Sequence, residues 1–198
     1  AHGRHFFGHG VFTPDGRLML ATENDYEAGK GMVGVYDATD GFRRVGEFAT
    51  GGVGPHEAVR MADGRTLCVA NGGILTHPDF GGTRLNLPTM EPSLAYIDLS
   101  SGAIVEKAAL PRDLHKLSMR HLAVDAAGHV WFGCQHQGDP ADRPPLVGRH
   151  RRGRDIELFA GPAGILRALD NYVGSVAMDS SGEVLATSSP HGGVIVFW

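Results

Sequence analysis

Cysteine is scarce in this chain: Cys68 and Cys134 are the two in 198 residues. Both sit in apolar surroundings and read as small buried hydrophobes, because neighbouring sheets rarely bring two Cα atoms within the ~7 Å that a disulfide needs. They assign no redox compartment. Long apolar runs are lacking too. The longest, Val194 to Trp198, has five residues, against the roughly 20 that a membrane-spanning helix requires. Charge of one sign is also missing: 18 basic against 22 acidic side chains leave a net charge of -4, which gives no reason to expect nucleic acid as a partner. Apolar residues at three- and four-residue spacing never persist long enough to predict a helix of consequence. There is no G-x-S-x-G elbow, no P-loop and no dinucleotide fingerprint. The chemistry left to an enzyme reading is a bound metal activating water, or acid–base work by His and Glu.

What the chain has is repetition. Glycine is plentiful, at 29 residues, with 11 prolines, which suits many tight turns. Four stretches share one pattern: His9 to Asn24, Glu57 to Gly72, His121 to His136 and Ser175 to Pro190. Each alternates apolar and polar side chains, turns at a glycine, then runs into β-branched or aromatic residues, the pattern of a β-hairpin. The turn glycines are Gly16, Gly64, Gly128 and Gly182, spaced by 48, 64 and 54 residues. That is close to the period of four-stranded propeller blades. A second hairpin follows each of the first three, at Gly31 to Phe48, Ser93 to Leu110 and Pro144 to Ala160. The pattern predicts an all-β protein, a β-propeller of about three and a half four-stranded blades, with approximate bounds 1–49, 50–111, 112–161 and 162–198. Both ends read as cut, so the expected parent is a larger ring; a chain of this length alone is expected to pair or aggregate through Trp198 and its neighbours. A complete four-bladed ring is the alternative.

In such a blade the start of the inner strand and the loop between the second and third strands share one face of the ring. Longer, polar loops therefore mark that face as the functional one. Candidate ligand-binding residues there are His9, His56, Glu57, His77, Arg84, Arg120, His121, His136 and His191. Counting back from the turn glycines places His9, Glu57 and His121 at equivalent positions, pointing the same way in three successive blades. Imidazole and carboxylate suit Zn or another transition-metal ion. The same residues also suit a polar ring that hydrogen-bonds neighbouring blades, and the spacing leaves both open. The insertion from Asn71 to Ser93 has no periodicity, and loops of that length inside a compact repeat are commonly functional. The basic run Arg149 to Arg154 falls on a hairpin turn of the opposite face and reads as solvated.

The stretches HFFGHGVFTPDGRLMLATENDYEAGKGMVGVYDA, GGVGPHEAVRMADGRTLCVANGGILTHPDFGGTRLNL, LHKLSMRHLAVDAAGHVWFGCQHQGD and SSPHGGVIVFW carry a further signal. In them the chain resembles the bacterial family grouped as domain of unknown function 1513. The resemblance implies a seven-bladed propeller in the periplasm, encoded near iron-uptake components of the imelysin type. It implies no reaction. The function expected is a non-catalytic periplasmic propeller that binds a small-molecule ligand or a periplasmic iron-uptake protein on its loop-rich face. The alternative is a metal-dependent hydrolase or lactonase-like enzyme with its site at the channel mouth. A WD-repeat scaffold is weaker, because no blade pairs a Gly-His with a Trp-Asp dipeptide, and Trp-Asp does not occur in the chain.

Overall fold

A computed structural model describes residues 3–162 and 164–198. Among these residues the chain forms antiparallel sheets, each wound in sequence order. The first contains β1 (Arg4–Phe12), β2 (Leu18–Asp25), β3 (Lys30–Asp37) and β4 (Arg43–Ala49). The second contains β5 (Pro55–Arg60), β6 (Thr66–Asn71), β7 (Ser93–Asp98) and β8 (Ile104–Ala109). The third contains β9 (Leu117–Val124), β10 (Val130–His136), β11 (Val147–His150) and β12 (Glu157–Phe159). The fourth has three strands, β13 (Ser175–Met178), β14 (Leu185–Ser189) and β15 (Val194–Phe197). The first strands of successive sheets, β1, β5, β9 and β13, lie side by side. They are therefore the inner edge of a fan, and the sheets radiate outward from it. Helix is almost absent: one turn, α1 (Ile165–Ala168), and short 3-10 turns. No helix of the described residues is long and apolar enough to cross a membrane.

Burial follows position in the fan. In the second sheet β6 and β7 are buried at every residue, whereas the outer β8 alternates between exposed and half-buried. Middle strands are covered on both faces, so their sequences read as continuous apolar runs, TLCVAN and SLAYID. Leu20, Val33 and Val35 of the first sheet pack on Ala58, Leu67, Val69 and Ile97 of the second. A larger cluster joins Tyr96, Leu94, Met119, Phe132, Val147 and Leu185 across the remaining sheets. Both cysteines are buried and free, as small hydrophobes, and burial pushes their thiols up. The two outward faces of the fan are apolar and exposed: Phe6 and Phe12 on the first sheet, Ile195 and Phe197 on the last.

The turn glycines all adopt positive φ, at 70°, 66°, 82° and 73° for Gly16, Gly64, Gly128 and Gly182, a region that only glycine enters without strain. Each turn is further held by an aspartate, Asp15, Asp63, Asp125 or Asp179, whose carboxylate accepts backbone N–H groups of the turn. Asp125 does most: it accepts from the Ala127 and His129 amides, from the His129 ring at 2.9 Å and from Trp131 Nε1 at 2.9 Å. His150, on the basic run, is a core residue with 1% exposure. Its Nε2 donates to the Arg154 carbonyl at 2.8 Å, so its Nδ1 accepts from the Tyr96 hydroxyl at 2.8 Å. The insertion is likewise packed. Asn86 accepts from the Leu75 amide and donates to the Gly73 carbonyl, while Ile74 and Met90 are buried beneath it.

Two outcomes follow from these turns. Asp125→Ala strands the Trp131 indole and two turn amides, and is expected to lower unfolding free energy in urea by about 1–3 kcal/mol. Hydrogen bonds to Thr13, Thr66 and Ser181 respectively lower the pKa of Asp15, Asp63 and Asp179, the last to about 2. These groups bind fewer protons folded than unfolded, so their stabilisation is complete above the free aspartate value of about 4 and is lost as pH falls toward 2. Urea titrations from neutral to acid pH should show that loss, with a shallower acid limb in Asp179→Asn.

Candidate functional site: a histidine cluster at the channel mouth

Three inner strands are bulged where they open onto the loop-rich face. Register shifts between Phe6 and Gly10 in β1, between Pro55 and Glu57 in β5, and between Met119 and His121 in β9. A bulge adds a residue without a cross-strand partner and redirects the side chains around it. His9, His56 and Arg120 are residues of these bulges. The consequence is a cluster: one ring nitrogen each of His9, His56 and His121 lies within 4.8 Å of the others. Their ring centroids stand 4.8–5.4 Å apart, edge to face. Among the described residues no other group of three metal-competent side chains gathers this way.

This differs from the register counted along the strands. Strict alternation groups Glu57 with His9 and His121, but the bulge at His56 breaks alternation and puts His56 in that place. Glu57 stands behind the cluster. Its Oε2 accepts from His121 Nδ1 at 3.2 Å and from the Leu122 amide at 2.9 Å. A carboxylate has no proton to give, so Nδ1 of His121 carries a hydrogen and Nε2 is the nitrogen that can face an ion. Glu57 therefore fixes the tautomer that a metal ligand requires.

Burial, then the positive charge of Arg120, holds the pKa of His56 down to about 3. Its ring is neutral at neutral pH. Arg120 approaches it with Nη1 3.5 Å from His56 Nδ1. Burial lowers the pKa of Arg120, and nearby Arg84 adds repulsion. Arg120 Nε is buried with no hydrogen-bond partner, and no carboxylate pairs with the guanidinium among the described residues.

The cluster depends on close backbone approach. A Cβ on Gly8 would sit 1.8 Å from the His56 carbonyl oxygen. Thr22 Oγ1 donates to the His9 carbonyl at 3.0 Å and lies 3.4 Å from that of His56, tying the two strands. Gly8 and Gly10 flank His9, and glycine inside a strand marks a bulge or a close approach. That signal, together with the polar doublets His56-Glu57 and Arg120-His121, was available in the sequence for locating the bulges.

The remaining candidates lie outside the three-histidine cluster. His77 begins a 3-10 turn, Pro78–Phe80, accepts from the Asp79 amide and packs edge-on against Tyr26 with centroids 5.0 Å apart. His136 is half-buried at the end of β10; its ring nitrogens have no hydrogen-bond partner, with Asp142 3.5 Å from Nε2. His191 stacks on Tyr172 at 4.0 Å. Arg84 is exposed. Glu23 is 3% exposed inside β2, bound to Tyr36 and to Arg44 at 2.8 Å. Two cavities of about 460 and 650 Å³ run beside the insertion and β8, lined by residues such as Asn86, Glu91, Lys107 and His115, and neither includes the cluster.

Four-coordinate zinc holds its nitrogens at about 2.0–2.1 Å, which sets them about 3.4 Å apart, so the cluster must contract by up to about 1.4 Å to bind an ion.

Radiating sheets with polar inner-strand ends gathered at one mouth define a β-propeller, a fold of binding and scaffold proteins. The β-propeller domain of Cps50 (Swd1) from Myceliophteria thermophila superposes with TM-score 0.64 at 16% identity, over 99% of this chain and 51% of that one. Hydrazine synthase of Kuenenia stuttgartiensis gives TM-score 0.59 at 17% identity, over 95% and 63%. The chain thus spans about half the length of the first of these structures, and the likeness is one of fold. By sequence it belongs to the family described as "Protein of unknown function (DUF1513)", whose model matches residues 1–198. No curated protein sequence matches it.

Gly8→Ala should lower unfolding free energy by about 1–3 kcal/mol, the usual cost of overpacking. It should also part β1 from β5, seen as faster hydrogen exchange at both strands.

Proposed function

We propose that this chain is part of a periplasmic propeller that binds a ligand at its channel mouth, without catalysing a reaction, in a pathway of iron acquisition. The single observation that carries the binding site is the His9, His56 and His121 cluster, contributed by three successive sheets. A transition-metal ion, free or brought by a partner iron-uptake protein, is the ligand chemistry that three neutral imidazoles favour. The compartment and pathway rest on the family resemblance. The exposed apolar faces at Phe6 and Phe12 and at Ile195 and Phe197 support further blades, as in a seven-bladed ring.

Three imidazoles leave a fourth position open, with Glu57 behind His121. That arrangement also supports the second reading, a metal-dependent hydrolase, because an ion with an open position activates water.

Elemental analysis and isothermal titration with Zn(II), Co(II) and Fe(II) are the tests. About one ion per chain is expected. His56→Ala or His121→Ala should weaken binding by about tenfold or more, and Glu57→Gln by about 10–100-fold. No binding of any of the three ions would remove the metal site. Metal-dependent hydrolysis of esters or lactones by the loaded protein would favour the second reading.

A further inference from the structure

Resting on that metal-binding reading, we propose that the site takes its ion together with a small carboxylate ligand, which bridges from the metal to Arg120.

Three neutral imidazoles and a divalent ion bring two positive charges to a place where Arg120 already contributes one and Arg84 lies near. Glu57 is the acidic group there, and both its hydrogen-bond donors, His121 Nδ1 and the Leu122 amide, hold it behind the cluster. A half-buried cation without a carboxylate partner is costly, and a guanidinium beside a metal site is matched in shape and sign by a carboxylate. The donor set agrees. Imidazoles alone leave an ion under-coordinated, and a harder ion such as iron wants oxygen ligands that the cluster does not supply.

A guanidinium only donates, so the 3.5 Å contact from Arg120 Nη1 engages the lone pair of His56 Nδ1 and places the ring hydrogen on Nε2. An ion approaching Nδ1 finds Arg120 in the way. An ion approaching Nε2 needs the hydrogen moved to Nδ1, where Arg120 presents another donor. Either route requires Arg120 to swing off His56. A carboxylate on the far side of the ion draws it away, so ion and anion bind with mutual reinforcement.

The experiment is Co(II) titration of the full chain, read by visible absorption and calorimetry, at constant ionic strength in chloride and with acetate added. Acetate is expected to tighten Co(II) binding by about tenfold or more, the size of one charge-assisted hydrogen bond. Arg120→Met should bind Co(II) without acetate at least as well as the native chain, and should lose the acetate effect. Thermal melts of Arg120→Met give a readout that a structural role would reverse, because removing a half-buried cation that no carboxylate pairs should leave the apo protein as stable or more so. Equal Co(II) affinity with and without acetate in the native chain overturns this proposal and leaves the metal site standing. Absence of Co(II) binding in both conditions overturns the two together. An acetate effect that survives in Arg120→Met overturns the assignment of Arg120.

Discussion

The mouth of the fan is governed by one close approach, the passage of the β1 backbone at Gly8 against the carbonyl of His56 on β5. A side chain at Gly8 would have to occupy the space of that oxygen. Because it is glycine, β1 and β5 come together, Thr22 ties their carbonyls, and His9 and His56 face each other across the seam. His121 joins them from β9, held by Glu57. Short-range backbone contact therefore sets the distances among side chains 47 to 112 residues apart in sequence.

The rest of the architecture serves to keep that seam rigid. The middle strands are buried between neighbouring sheets, and the first hairpin turn of each sheet is closed by a glycine in the left-handed region and an aspartate that accepts from turn amides. Even the basic run at the β11–β12 turn is anchored inward, through His150 to Tyr96. Loops can then vary on the open face without moving the strands. The insertion after β6 does so, held by Asn86 over Ile74 and Met90. A rigid frame with variable, polar loops on one face is what a binding fold requires.

The electrostatics of the mouth are lopsided. Three imidazoles and a guanidinium with no carboxylate partner converge there, with a single carboxylate already committed. Such a place is expensive to maintain for packing alone, since apolar residues would fill it at lower cost. That imbalance is the physical reason to look there for a ligand rather than in the larger cavities beside β8.

Much of this was legible along the chain. Period-two alternation and turn glycines are local properties, so the four hairpins, the blade order and the burial of Cys68 and Cys134 follow from the residues themselves. The presence of His9, His56, Glu57, Arg120 and His121 at strand starts was equally plain. Which of them meet was not, because alternation predicts direction only while a strand stays regular, and each of these strands is bulged at the residue that matters. His56 displaced Glu57 from the cluster for that reason. Likewise, nothing in the spacing of Arg120 from His56 could show that its half-buried charge has no carboxylate partner, since partnership depends on all the sheets that converge there. Local sequence determined the strands and turns; only the packing of strand against strand decided which polar side chains share the mouth.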